Sequence, residues 1–264
     1  MAELPAADWD ALAREVDLWR LAGRRATLWW RDDDAVAVTP ALLELQRSAR
    51  VPLALAVIPA APANPLEDAL GLCLADWPVA SVLQHGIGHV SHAPAGGKNS
   101  EFPSIRPLPD IRAGLAAGLA RLSGLFGARF LPVLTPPWNR IANETLPLLP
   151  GLGFRGLSRF DDLPYGRERG RAAGVHEINT QVDVIDWRGS RGFVGEAAAL
   201  GRLVSHLAAR RTGLVEPELP TGILTHHLVH DTATWRFLEN LQDWLARRGE
   251  LELFLDPRTL WPPL

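Results

Sequence analysis

The feature that most constrains this chain is an alternation: short apolar runs of buried-strand length recur along it, separated by segments with helical periodicity. Pro52–Ile58, Ser81–Gln84, Phe130–Leu134, Phe154–Leu157, Val182–Ile185 and Gly222–Thr225 read as strands, as does the run over 26–31 that stops abruptly at three aspartates. Helical patterns follow from Thr39 to about Arg50, over Leu66–Leu74 and Ile111–Phe126, and at about 141–149, 194–210 and 232–247. In the Ile111–Phe126 segment the apolar residues Ile111, Leu115, Leu119, Leu122 and Phe126 fall at helical spacing. Thr39-Pro40 is a capping hydroxyl followed by a proline at the first helical position. Residues 8–21 read as an amphipathic helix with Leu12, Val16 and Trp19 on one face, and Leu251–Leu255 as a last strand. Strands alternating with helices at this spacing predict parallel β/α architecture. A barrel, closed or incomplete, and a doubly wound open sheet both fit. The 264 residues suit one domain over 1–264, with the helix in residues 1–24 packed on it.

Bulk properties exclude several classes of function. A composition of 47% hydrophobic and 22% charged residues is that of an ordinary globular protein. The net charge of −3 and pI near 6.2 argue against nucleic acid or an anionic membrane as a partner. Cys73 is the single cysteine, so an internal disulfide and a thiolate-rich zinc cluster are both out of reach. No uncharged apolar segment approaches the roughly 20 residues a membrane span needs. Met1–Pro5 lacks the basic-then-apolar pattern of a signal peptide, so a cytoplasmic location is expected.

The chemically capable residues cluster just after the strands, where parallel β/α folds build their active face. Asp32-Asp33-Asp34 follows Thr27–Trp30, and three adjacent carboxylates call for a divalent metal or an arginine to relieve their repulsion. His85-Gly86-Ile87-Gly88-His89 sets two imidazoles four residues apart, with glycines that allow a tight turn. No glutamate lies between them as in the zinc-protease helix. Two histidines and one carboxylate suit zinc, cobalt, manganese or iron and leave coordination positions open. Thr135-Pro136-Pro137-Trp138-Asn139-Arg140 is a rigid turn able to present a backbone N–H to an oxyanion. In Asp183-Val184-Ile185-Asp186-Trp187 strand alternation separates the two aspartates onto opposite faces. His226 and His227 end the strand Gly222–Thr225, where a histidine can act as a general acid, while His230 and Asp231 fit the cap of the next helix. The polar loop from His92 to Glu101 and Phe102 reads as a lid or substrate loop, so His92 and Glu101, with Asn139 of the Pro-Pro turn, are candidate substrate contacts.

Taken in order over residues 32–226, the Asp-Asp pair, His-x-x-x-His, the Pro-Pro-aromatic turn, Asp-x-x-Asp-Trp and Leu-x-His resemble the five-motif series of the polysaccharide deacetylases, carbohydrate esterase family 4. The resemblance implies a distorted, incomplete (β/α) barrel. It further implies a metal-dependent hydrolase, zinc first among its ions, that removes an N- or O-acetyl group from a sugar-containing substrate. Because the small Ala35 follows, the pair aligns as Asp33, the base, and Asp34, a metal ligand with His85 and His89; a shift to Asp32 and Asp33 is the alternative. Trp138 would supply the oxyanion-hole N–H, Asp186 would orient the charged groups, and His226 would be the acid, with His227 as understudy. Thr135 stands where the family carries an arginine, so Arg140 or Arg31 is expected to replace that cation. Two other readings share this scaffold: a cytosolic hydrolase of small amides or ureides, and a non-catalytic protein that binds metal or glycan.

Overall fold

The computed structural model describes residues 7–61, 66–161 and 174–261. Four long strands carry the sheet: β1 (Leu28–Ala35), β2 (Leu53–Val57), β3 (Ala80–His85) and β4 (Phe130–Thr135). Both faces of β2 and β3 are covered throughout, which is why β2 reads as a continuous apolar run and not as an alternating one. Three two-residue strands follow, β5 (Gly156–Leu157), β6 (His176–Glu177) and β7 (Val182–Asp183), then β8 (Thr221–Thr225). All pairings are parallel, in the order β6-β5-β4-β3-β2-β1-β8-β7.

Strand order dictates curvature. β6 and β7 sit at opposite edges of the sheet yet are joined by residues 178–181 alone. From Glu177 to Val182 the chain can reach at most about 18 Å. Eight strands laid flat would hold those edges roughly 33 Å apart. The sheet therefore curls onto itself, giving an incomplete (β/α) barrel and excluding the open doubly wound alternative.

The barrel interior is filled by Trp29, Ala54, Ala56, Leu83, Leu131, Val133, Ile178, Leu260 and Trp261. Trp261 follows the short helix α8 (Pro257–Leu260), and its Nε1–H donates to the His176 carbonyl at 2.9 Å. The outer layer packs the opposite strand faces against helices. α1 (Trp9–Leu21) starts at Asp8, whose side chain accepts the Ala11 N–H, and lies along α6 (Glu196–Arg211). Trp19 Nε1–H reaches the Leu207 carbonyl at 3.2 Å, and Arg211 pairs with Glu15 at 2.8 Å. α2 (Pro40–Ser48) is capped by Thr39, as the sequence predicts, and α3 (Asp68–Ala75) and α4 (Leu108–Phe126) follow β2 and β3. α7 (Thr232–Arg247) is capped by Asp231. No helix among the described residues is long and apolar enough to cross a membrane.

Three expectations change. Leu251–Leu255 is not a strand: Leu251–Leu253 form a 3-10 turn and Phe254 makes a single parallel bridge to Leu28. The helix expected at 141–149 becomes a 3-10 turn at Asn143–Thr145 and a short α5 (Leu148–Leu152), because Pro147 and Pro150 offer no N–H and Gly153 ends it in the left-handed region. β6 has no counterpart among the expected strands, since His176-Glu177 carries no apolar signal.

At Gly222 the interior layer approaches the β8 backbone directly. A Cβ there would lie 2.4 Å from Trp29 Nε1 and 2.7 Å from both the Asn179 carbonyl oxygen and Thr180 Cα. Two of these neighbours are backbone, so they cannot rotate away. Gly222→Ala is expected to lower stability by about 1–3 kcal/mol, read as a lower urea midpoint; an unchanged midpoint would show that this contact is loose.

Candidate active site

The end of β1 sorts its charged residues by face. Strand alternation places Arg31 and Asp33 with the interior residue Trp29, and Asp32 with the outward Trp30. Arg31 is fully buried and grips Asp33 with two parallel bonds, Nε to Oδ1 at 2.8 Å and Nη2 to Oδ2 at 3.0 Å. The same guanidinium donates to Asn139 Oδ1 at 2.8 Å, to Ser158 Oγ at 2.7 Å and, at 3.4 Å, to the Arg159 carbonyl. It is the cation that lies against Asp33. The register of β1 on β2 then shifts between Asp32 and Ala35, and Asp34 takes a φ of 75°. That shift turns its carboxylate toward β3.

Asp34 Oδ1 lies 3.1 Å from His85 Nε2 and 3.3 Å from His89 Nε2, and the ligand atoms of all three side chains fall within 4.8 Å of one another. His85 Nδ1 is 3.0 Å from the Thr135 carbonyl, which can only accept, so Nδ1 carries the proton. Nε2 is then the ring atom that faces Asp34 Oδ1, a buried oxygen left without a hydrogen-bond partner. Three donor atoms around one point, one of them orphaned, are what a cation would satisfy. Burial pushes the Asp34 carboxyl up, but His85, His226 and His89 outweigh it and hold the group below the usual range. Burial likewise pushes His85 down, yet Asp33 and Asp34 raise it overall. His89 is lowered by burial and by the neighbouring His85.

Backbone strain gathers at the same place. Of the five non-glycine residues with positive φ among those described, four are Asp34, His89, Trp138 and Asn139, the last three at 57°, 55° and 56°. Left-handed conformations cost roughly 1–2 kcal/mol each outside glycine, and such strain persists where surrounding structure over-determines it. Here the Arg31–Asn139 bond and the Trp138 ring, tilted against the His89 ring with centroids 4.4 Å apart, provide that support.

Across from this group, His226 and His227 directly follow β8. His226 faces inward, its Nε2 4.0 Å from Asp33 Oδ2 and its ring set edge-on to Trp187 at 4.7 Å. His227 turns outward to Asp32, whose Oδ2 accepts Thr225 Oγ1–H at 2.6 Å and the His227 N–H at 3.0 Å, while Oδ1 meets His227 Nδ1 at 2.5 Å. Asp32 therefore holds both neighbours of His226. Burial opposes both charges, yet each partner outweighs it: Asp32 is lowered and His227 raised, a buried ion pair.

No family profile and no curated protein matches this chain. Solved structures do. A peptidoglycan N-acetylglucosamine deacetylase superposes with a TM-score of 0.55 at 13% identity, over 89% of this chain and 88% of that one. A Streptococcus mutans CE4 esterase gives 0.54 at 14%, over 93% and 90%. The chitin deacetylase of the fungal pathogen Colletotrichum lindemuthianum gives 0.52 at 16%, over 89% and 90%. The fold is that of the polysaccharide deacetylases.

On this deacetylase fold, geometry reassigns several of the residues that the sequence singles out. Asp186 does not face the site: its oxygens accept the Gly189 and Ser190 N–H groups at 3.0 and 3.2 Å, closing a surface turn. The carboxylate near His226 is Asp183, buried, accepting Trp187 Nε1–H at 2.9 Å and the Ile185 N–H at 3.0 Å. Burial raises Asp183, and the charge of His226 opposes that rise. Alternation correctly places the two aspartates on opposite faces; it does not say which face is the inner one. Arg140 is exposed and donates to the Asn99 carbonyl at 2.7 Å, whereas Arg31, the other candidate cation, is buried against Asp33. Glu101, expected at the substrate, is 1% exposed with both oxygens turned onto backbone N–H groups. Asn139 spends its amide oxygen on Arg31, and His92 is exposed on its loop. Ser158 joins the site without having been expected there; its signal is a hydroxyl directly after the apolar run Phe154–Leu157.

Replacing Asp32 by Asn should leave His227 and Thr225 facing a weakened partner in a buried space. A loss of about 3 kcal/mol is expected from breaking such a pair, measured by chemical denaturation. A loss below about 1 kcal/mol would mean the pair does not hold the end of β8.

Proposed function

We propose that this chain is a divalent-metal-dependent hydrolase that removes an acetyl group from an acetylated sugar. The observation that carries the reading is Asp34 Oδ1, a buried oxygen without a donor that faces Nε2 of both His85 and His89. Asp34, His85 and His89 would hold the ion, and two imidazoles with one carboxylate suit zinc first, with cobalt, manganese or iron also acceptable. When bound, the ion supplies Lewis-acid polarisation of the acyl oxygen and acidifies water in the site. Deacetylases of peptidoglycan N-acetylglucosamine and of chitin share the fold, which supports an acetylated sugar as substrate.

The chain's own groups divide the remaining work. Asp33 is the base: Arg31 pins both of its oxygens, fixing the direction from which the carboxylate takes a proton from attacking water. The Trp138 backbone N–H, held by the strained turn after Pro137, is the donor for the developing oxyanion. His226 sits on the far side of Asp33 and delivers a proton to the departing amine or hydroxyl, its ring steadied by Trp187 and, behind it, Asp183. Thr135 in place of an arginine would favour a binding-only protein, but Arg31 occupies that electrostatic role.

The test is metal analysis combined with acetate release from N- and O-acetylated sugars after loading with Zn²⁺ or Co²⁺. His85→Ala with His89→Ala should lose metal and turnover together. Asp33→Asn should keep the metal and lose about 10²–10⁴-fold in kcat. Turnover in the metal-free double variant, or a loaded native protein that releases no acetate from any member of the panel, would overturn the assignment.

A further inference from the structure

We infer that Glu101 is a positioning residue of the metal centre, its carboxylate setting the geometry of the turn that carries His85 and His89; this rests on the metal reading above. The chain leaves β3 at His85 and must fold back within four residues for both Nε2 atoms to face Asp34. It does so through two left-handed residues, Gly86 at φ 63° and His89 at φ 57°. Between them the N–H groups of Ile87 and Gly88 point to one spot, a concavity of the kind that binds anions. Glu101 fills it with one oxygen for each: Oε2 accepts from Ile87 at 2.9 Å and Oε1 from Gly88 at 2.7 Å. Charged acceptors make such bonds shorter and stronger than neutral ones. A Cβ at residue 86 would lie 2.0 Å from Oε2 and 2.5 Å from the Pro137 ring, so the glycine is what lets the carboxylate enter.

Glu101 is itself held from behind. Its carbonyl accepts from Arg106 Nη1 at 2.9 Å, and that guanidinium stands 4.0 Å from Oε1. The next residue, Phe102, is fully buried and its carbonyl accepts the Ala142 N–H at 2.9 Å. The carboxylate is therefore a fixed strut placed against Ile87 and Gly88, two of the three residues that separate the ligands. Without this strut the Ile87 and Gly88 amides lose their shared acceptor, and the left-handed His89 is free to relax away from Asp34. Groups that orient metal ligands from behind typically cost 10–100-fold in metal affinity when altered.

The experiment compares Zn²⁺ affinity, by chelator competition, and the Co²⁺ absorption spectrum in the native protein, Glu101→Gln and Glu101→Asp. Gln removes the charge and one acceptor; Asp keeps the charge but withdraws it by one methylene. Both are expected to bind about 10–100-fold more weakly with an altered Co²⁺ spectrum, while thermal unfolding of the metal-free proteins reports fold separately. Native-like affinity in Glu101→Gln overturns the inference. Native-like affinity in Glu101→Asp alone also overturns it, because charge and not position would then be the cause. Failure of the native protein to bind either ion overturns the metal reading itself. Should the variants not fold, hydrogen exchange in the native metal-free protein decides: the Ile87 and Gly88 amides should be protected relative to residues 95–98, and equal exchange would sink the proposal.

Discussion

The buried guanidinium of Arg31 is the interaction on which the site depends. Taking an arginine fully out of water costs several kcal/mol unless its donors are matched. Here the fork meets both oxygens of Asp33, the Asn139 amide oxygen and the Ser158 hydroxyl, so one planar cation ties β1 to the turn after β4 and to the end of β5. A lysine could not do this, because its charge is a point without the bidentate geometry. The cation reaches Asp33 from within the same strand, two residues earlier on the same face.

Around that hub each reactive group is fixed by something that does not itself react. Thr135 sets the His85 tautomer through its carbonyl, and Asp32 clamps Thr225 and His227 on either side of His226. Trp187, tied to Asp183, flanks the His226 ring. The left-handed residues Asp34, His89, Trp138 and Asn139 are strained individually and held collectively. Rigid supports of this kind aim charges before any substrate arrives, which is the condition for electrostatic catalysis.

Much of this is legible in the chain. Apolar runs mark the strands, helical spacing marks α1, α4 and α7, and the clustering of Asp33, Asp34, His85, His89, Trp138 and His226 at or just past strand ends marks the rim on which they meet. Where sequence and structure part, the cause is local. Asp186 looks as good as Asp183 because a motif pattern does not say which carboxylate is buried. Glu101 looks like a substrate contact because a polar residue on a long loop is ordinarily exposed. Arg31 is one of two candidates because its pairing with Asp33 is a matter of side-chain reach.

By itself the sequence determined the parallel β/α class and the carboxylate and imidazole side chains that gather at the strand ends, since periodicity and residue chemistry are carried by neighbours along the chain. Periodicity fits both the barrel and the open sheet; the motif resemblance implies the incomplete barrel, and the tertiary structure supplies its cause, β6 and β7 at opposite edges with only residues 178–181 joining them. The tertiary structure also decided the face each aspartate of 32–34 occupies. Alternation separates Asp32 from Asp33, but only the register shift of β1 against β2 aims Asp34 at two histidines from another strand. Such aim depends on contacts between segments far apart in sequence, and no local pattern encodes it.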